Sequence, residues 1–305
     1  MEKAIQPKRM SSNRIRESMG DMVLRVIVVI LVTLLSLTCL LPLVNIVATS
    51  FSSARAINSG EVAFWPVEFC LDAYDTIFTN DPLIRSMFLT IGITLLTVAI
   101  ALVCTIMAAY PLSHKSLVGR KPLWLFVIFT MYFSGGMIPN YLLIRDLKLL
   151  NTIWALVLPG AISTYNMILM RSFFASIPDA LTEAAIIDGA NDATILTKII
   201  LPLSKSMLAT IALFYGVSRW NGLQYGLLYI TDPNLYTLQV RLSNIIISSE
   251  SLNELMAEGS YNQVLLQTEQ VRCAALCFSL LPVMLVYPFL QKYFVKGVMI
   301  GSVKG

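Results

Sequence analysis

Apolar stretches long enough to cross a lipid bilayer constrain this chain more than any other feature. About 20 apolar helical residues span the ~30 Å hydrocarbon core. Backbone groups in lipid must pair within their own segment, so helices are expected throughout these stretches. The first is too long for the apolar part of a signal peptide and is interpreted as a retained anchor. The predicted fold class is an all-α polytopic membrane protein with six transmembrane helices, at residues 26–50, 87–110, 123–138, 152–170, 207–217 with its continuation, and 274–294.

The composition excludes several other classes of protein. Charged residues make up 13% of the chain and hydrophobic residues 56%, whereas soluble domains carry about 25% charged residues. This excludes a soluble enzyme and a disordered chain, and a net charge of +4 does not indicate a nucleic-acid partner. The single histidine, His114, and cysteines that lie mostly in apolar runs form no pattern for a catalytic triad or a metal site. No catalytic residue and no metal is therefore predicted.

The distribution of Lys and Arg predicts an orientation in the membrane. Most of these residues lie in the N-terminal segment, after the second and fourth predicted spans, and in the C-terminal tail, whereas Arg219 and a few others lie on the opposite side. Because cytoplasmic loops are enriched in Lys and Arg, both termini are predicted to be cytoplasmic. The predicted domains are a cytoplasmic segment 1–25, a transmembrane domain 26–294 and a cytoplasmic tail 295–305. Outside, segments 51–86 and 221–271 form either solvated loops or a platform for an extracytoplasmic partner.

No ionisable residue lies in the central part of any predicted span, which argues against a proton pump, a voltage sensor or a proton-coupled carrier. The neutral polar residues suit an uncharged, hydroxyl-rich solute, and they serve equally as contacts between helices. Two glycines and a proline weaken the helix within 133–141, either as an ordinary helix end or as irregular backbone that lines a wet cavity. The candidate substrate path comprises Gly135, Gly136, Asn140, Tyr141, Asn166, Trp220 and Asn221.

The loop between the fourth and fifth spans, residues 176–202, has the pattern of a helix, a turn and a second helix. Ser176 stands three residues before Asp179, which is the spacing of a capping box. Gly189 permits the positive φ angle of a helix C-cap, and Asn191 is suited to cap the next helix. A short helix with small side chains that ends in glycine can insert into a groove on another protein.

The second helix of this loop has one apolar face. Its apolar residues repeat at helical spacing, and Pro202 is predicted to bend or end the helix where the chain re-enters the membrane. The residues of this face are Ile195, Leu196, Ile199, Ile200 and Leu203.

These residues resemble a known family. The sequence Glu-Ala-Ala-x-x-x-Gly at 183–189, followed by Leu201 and Pro202, resembles the EAA loop of ABC importer permeases, and its fuller form is similar to the maltose-type carbohydrate branch. Residues 132–152 resemble the subgroup associated with complex oligosaccharides, such as aldouronate or alginate fragments. The chain departs from many relatives at Leu196, where they carry an aromatic residue, and at 206–207, where they carry a proline.

The resemblance implies the type I permease fold and a transport subunit that is not itself an enzyme. It implies a coupling loop on an ATPase, formed by Glu183, Ala184, Ala185, Asp188, Gly189, Ala190, Leu201 and Pro202. The C-terminal tail resembles that of the smaller maltose-type subunit, and the resemblance implies an ATPase contact through Gly301, Ser302, Val303, Lys304 and Gly305.

The resemblance also implies the partners. They are a second permease, which family precedent makes a different chain, two ATPase subunits, an extracytoplasmic solute-binding protein and a carbohydrate substrate. The 305 residues contain no G-x-x-x-x-G-K-[ST] phosphate loop, so ATP and Mg²⁺ are expected on the partner ATPase and no cofactor on this chain. The expected function is ATP-driven import of oligo- or polysaccharide fragments across the bacterial plasma membrane. An ion-coupled secondary sugar carrier, with a site of carbonyls and hydroxyls, stays open as the alternative.

Overall fold

The computed structural model describes residues 19–256 and 269–288. The predicted ATPase-contacting tail, Gly301 to Gly305, and most of the predicted segment 1–25 lie outside the described residues. The described part of the chain contains helices and no β-strand. In chain order the helices are α1 (Met19–Ser50), α2 (Ala54–Asn58), α3 (Asp72–Phe78), α4 (Asp81–Ser113), α5 (Arg120–Tyr132), α6 (Met137–Asp146), α7 (Ile153–Val157), α8 (Thr164–Phe174), α9 (Asp179–Ile187), α10 (Asp192–Ile195), α11 (Leu201–Leu203), α12 (Lys205–Trp220), α13 (Leu223–Tyr229), α14 (Leu238–Met256) and α15 (Glu269–Pro288).

Three of the described helices, α1, α4 and α15, are long and apolar enough to cross a bilayer alone. Three bent pairs pass the same test of length and composition if each pair counts as one span. These pairs are α5–α6, bent by 109°, α7–α8, bent by 50°, and α10–α11 with α12, bent by 82°. All six regions overlap the six apolar stretches of the sequence.

All six regions are helical, as expected, but three of them are interrupted by a bend. The interruption at 133–136 follows from its two glycines, since Gly136 adopts a φ angle of +86°. A 3₁₀ turn, Leu158–Gly160, contains a proline and interrupts the fourth region. The fifth bends at Ser204, two residues after Pro202. The proline-associated bend and the weakened helix within 133–141 were both predicted and are confirmed.

Helix α4 forms the centre of the bundle because one face carries small residues at intervals of four. Thr97, Ala101, Thr105 and Ala109 are all buried on this face, and their short side chains let α8 and α12 approach α4 closely. By contrast, α1 buries only its last three residues and exposes apolar side chains along the rest of its length. Such a helix suits contact with lipid or with another apolar helix.

Candidate functional site

A cavity of about 930 Å³ with several polar side chains in its lining lies where the bent α7–α8 pair meets the end of α12 and the start of α13. This volume is at the upper end of the ~300–1,000 Å³ typical of ligand pockets. The lining mixes aromatic, hydroxyl and amide side chains with exposed backbone at the bend: Thr97, Pro159, Gly160, Ile162, Ser163, Tyr165, Asn166, Phe214, Tyr215, Ser218, Arg219, Asn221, Gly222, Leu223, Gln224, Tyr225 and Leu227.

The structure brings only two of the seven candidate path residues to this cavity, namely Asn166 and Asn221. Trp220 is buried instead in a separate apolar cluster with Leu238 and Phe278. The remaining four, Gly135, Gly136, Asn140 and Tyr141, lie on or beside α6 and do not line the cavity. The two glycines were candidates because they break the helix, and Asn140 and Tyr141 also because they are neutral polar residues. Neither feature specifies the direction in which these residues face.

Tyr215 fixes the wall of the cavity. Its hydroxyl lies 2.7 Å from Thr105 Oγ1 and accepts a hydrogen bond of 3.0 Å from the backbone N–H of Ser163. The Ser163 hydroxyl in turn accepts a hydrogen bond from the N–H of Asn166 and thereby caps α8. This one phenol therefore ties α4 and α12 to the first turn of α8, beside the 50° bend.

Arg219 is the functional candidate that the sequence analysis missed. It was assigned to the basic residues of the outer side, but the structure places it in the cavity lining, where it is the one charged residue. Its guanidinium lies over the Tyr225 ring, with Cζ 5.3 Å from the ring centroid, a cation–π contact. The available signal was its spacing: Arg219 follows Tyr215 by four residues, so both share one face of α12.

An aromatic row leads away from the cavity towards α6. The ring centroids of Tyr225 and Tyr229 are 5.7 Å apart, and those of Tyr229 and Tyr141 are 6.3 Å apart. Burial, together with the neighbouring Tyr225, raises the pKa of Tyr229, so its phenol stays protonated at neutral pH. The row offers flat apolar faces and neutral hydroxyls.

The loop 176–202 forms the second part of the candidate site. Two local predictions are confirmed: Gly189 adopts a φ angle of +79° just after α9, and the Asn191 side chain accepts a hydrogen bond of 2.8 Å from the N–H of Thr194. The predicted capping box is wrong. Ser176 donates to the Phe173 carbonyl instead, because α9 begins only at Asp179 and leaves Ser176 outside the helix.

Helix α9 is anchored on one side and exposed on the other. Ala185 is buried in the cluster formed by α4, α8 and α12, whereas 58% of Ile186 and 85% of Ile187 are exposed. Lys115, in the loop after α4, forms an ion pair of 3.0 Å with Asp179 at the start of α9. The predicted coupling residues Glu183, Ala184, Asp188 and Gly189 are exposed, as is Pro202, while Ala190 and Leu201 are half-buried.

The predicted apolar face after Asn191 is largely confirmed. Ile195 and Ile200 are buried, and Leu196 and Ile199 pack against the same cluster, but Leu203 is exposed. The segment Leu196–Ile200 is a π-helical turn that was not predicted. Pro202 explains it, because a proline ring clashes with the carbonyl four residues earlier, and a wider turn relieves the clash.

Several known proteins are similar to this chain in sequence. Residues 122–300 match the family described as binding-protein-dependent transport system inner membrane component. The polygalacturonan/rhamnogalacturonan transport system permease protein YtcP of Bacillus subtilis (strain 168) is 42% identical over 88% of this chain and 94% of its own length. Protein LplC of the same organism is 42% identical over 87% of this chain and 90% of its own length.

A solved structure is also similar to this chain. It is the crystal structure of a bacterial ABC transporter involved in the import of the acidic polysaccharide alginate, with a TM-score of 0.82 and 34% sequence identity. The match covers 91% of this chain and 99% of that chain. The chain therefore belongs to the family of binding-protein-dependent transport system inner membrane components.

Proposed function

We propose that the chain is the membrane-spanning permease subunit of an ATP-driven ABC importer for oligosaccharides or polysaccharide fragments. An extracytoplasmic binding protein delivers the sugar, and two separate ATPase subunits bind ATP and Mg²⁺. A second permease completes the pathway, since one α9 occupies one socket of a two-fold ATPase dimer. Relatives that transport polygalacturonan or alginate support a carbohydrate substrate.

The observation that carries this proposal is the direct connection between the exposed α9 and the cavity. The chain passes from α9 through Gly189 into the segment from α10 to α11, and α12 follows immediately. Ile195 and Ile200 bury that segment against α4 and α8, and α12 carries Tyr215 and Arg219 into the cavity wall. A displacement of α9 is therefore transmitted to the cavity through a packed segment.

This connection supports a mechanism of rigid-body switching. ATP binding closes the ATPase dimer and moves α9, and α12 rotates with the segment that precedes it, so that the cavity opens towards the binding protein. Hydrolysis reverses the movement. Transitions of this kind suit packed helices, which slide or rotate as units. The corresponding topology has six spans with both termini and α9 in the cytoplasm, in the bacterial plasma membrane.

Ile187→Ser tests the role of α9. The full complex is purified and reconstituted in proteoliposomes, and ATP-dependent sugar uptake is measured together with co-purification of the ATPase. Since Ile187 is exposed, we expect normal folding but loss of ATPase binding and of uptake. Val118→Ser is the matched control, because Val118 is also exposed and lies in the loop after α4. Uptake that needs no ATPase would contradict the proposal and favour an ion-coupled carrier.

A further inference from the structure

Arg219 is the one charged residue among those that line the cavity. The other polar lining residues are neutral hydroxyls and amides, and no Asp or Glu lines the cavity. Within residues 19–256 and 269–288, no carboxylate forms an ion pair with Arg219 and no acceptor is found for its guanidinium, and its Nε atom is buried without a hydrogen-bond partner. A buried or partly buried charge without such partners is costly, so this arrangement needs an explanation.

Two local interactions favour the charge of Arg219 but use none of its N–H donors. The face of Tyr225 attracts the cation, and the position of Arg219 in the last turn of α12 is favourable for a positive charge. Neither interaction is a hydrogen bond. The planar set of N–H donors of the guanidinium is therefore available to an anion.

Gly160 makes room for this guanidinium, and Gly222 lies beside it. A Cβ atom at Gly160 would lie 2.8 Å from Arg219 Nη2, closer than real Cβ contacts, and one at Gly222 would lie 3.7 Å from Nη1. Neither glycine adopts a positive φ angle, so backbone conformation does not explain Gly160. The absence of a side chain there lets the guanidinium lie against the 3₁₀ turn at the cavity wall.

We propose that Arg219 binds a carboxylate of an acidic sugar in this cavity, and that the substrate is therefore a uronate-containing oligosaccharide. The planar guanidinium matches a carboxylate in a two-hydrogen-bond arrangement, while the neutral hydroxyls and amides suit the hydroxyl groups of the same sugar. The proposal rests on the proposed function, and it adds the charge of the substrate and the residue that recognises this charge.

The test compares an acidic sugar with its neutral counterpart in the complete importer. The reconstituted complexes contain the wild-type chain, Arg219→Gln or Arg219→Lys. All of them use the same binding protein, so a difference in uptake ratio between two complexes does not come from the selectivity of the binding protein. Uptake of trigalacturonate is divided by uptake of its methyl ester. We expect Arg219→Gln to lower this ratio about tenfold or more, as loss of a charge-assisted hydrogen bond implies. Arg219→Lys, which keeps the charge but not the planar donors, is expected to lower it less.

Arg85→Gln is the matched control, because Arg85 is a basic residue that does not line the cavity and donates to Asn234; it should leave the ratio unchanged. An unchanged ratio in Arg219→Gln, or wild-type preference for the ester, overturns the role of Arg219 without touching the proposed function. Wild-type preference for galactose 6-phosphate over trigalacturonate identifies a phosphate as the bound anion and overturns the carboxylate assignment. Uptake that does not require ATP would contradict the proposed function, and so would the absence of uptake for all of these sugars and for neutral oligosaccharides. Either result would also overturn the role of Arg219.

Discussion

Tyr215 and Thr105 join α12 to α4 through hydroxyl groups 2.7 Å apart, at a position where both side chains are buried. Since the same phenol accepts a hydrogen bond from the Ser163 N–H, one side chain links three helices at the cavity wall. In a membrane bundle, where apolar burial contributes little to helix association, polar links of this kind help to fix the helix positions.

Tyr215→Phe is therefore expected to destabilise the chain while leaving its shape almost unchanged. The substitution removes the shared hydroxyl and leaves the Ser163 N–H and the buried Thr105 hydroxyl without this partner, which costs about 1–3 kcal/mol. A lower midpoint of thermal unfolding of the purified complex measures this cost. Tyr165→Phe is the control, because Tyr165 lines the same cavity but is 54% exposed. Equal effects of the two substitutions would argue against the tie at Tyr215.

Gly160→Ala should reproduce part of the loss of Arg219 without changing any charge. The new Cβ atom would lie 2.8 Å from Arg219 Nη2, so the guanidinium must move away from the turn. We expect a lower ratio of trigalacturonate to methyl-ester uptake, but a smaller change than in Arg219→Gln. Gly216→Ala is the matched control, since its nearest contact would be an ordinary 3.7 Å from Val98 Cγ2. If Gly216→Ala changed the ratio as much as Gly160→Ala, the effect would not come from the guanidinium.

The sequence predicted the apolar regions and the loop well because both depend on local patterns. Long apolar runs specify helices in lipid, and the confirmed features around α9, the positive φ angle at Gly189 and the cap by Asn191, involve neighbours within a few residues. The prediction of a capping box at Ser176 was wrong although it also used a local pattern. The spacing requires a helix that begins directly after Ser176, whereas α9 begins at Asp179.

The cavity could not be predicted in the same way, since it depends on which faces of distant helices meet. Asn166 and Asn221 reach it, but Trp220, the neighbour of Asn221, is buried in a different cluster. Arg219 was interpreted as a loop residue, because a charged residue in the sequence indicates the end of a membrane span. It does not indicate the direction in which the side chain points. Only the packing of α12 against the 3₁₀ turn at Gly160 reveals its place.

The ion pair between Lys115 and Asp179 is expected to contribute little to stability. The two atoms lie 3.0 Å apart, but 81% and 72% of the side chains are exposed, and such surface pairs contribute only about 0.2–1 kcal/mol. In a double-mutant cycle with Lys115→Ala and Asp179→Ala, we expect a coupling energy below about 1 kcal/mol that decreases as salt is added. A larger value that is insensitive to salt would show that burial by a partner strengthens the pair. Thermal unfolding of the complex at two salt concentrations distinguishes these cases.

Gly189 gives the sharpest test of the connection between α9 and the cavity. A Cβ atom at Gly189 meets nothing within 4 Å, yet its φ angle is +79°, a conformation that costs an L-residue about 1–2 kcal/mol. Substitution therefore strains only the backbone, at the point where the N–H of Ala190 closes α9 through the carbonyl of Ala185. We expect Gly189→Val to reduce ATPase co-purification and uptake most, Gly189→Ala less, and Gly189→Asn least, because asparagine tolerates this conformation best. Gly92→Ala is the matched control, since Gly92 also has open space but no positive φ angle. An equal loss in all three Gly189 variants, or in Gly92→Ala, would refute backbone geometry as the cause.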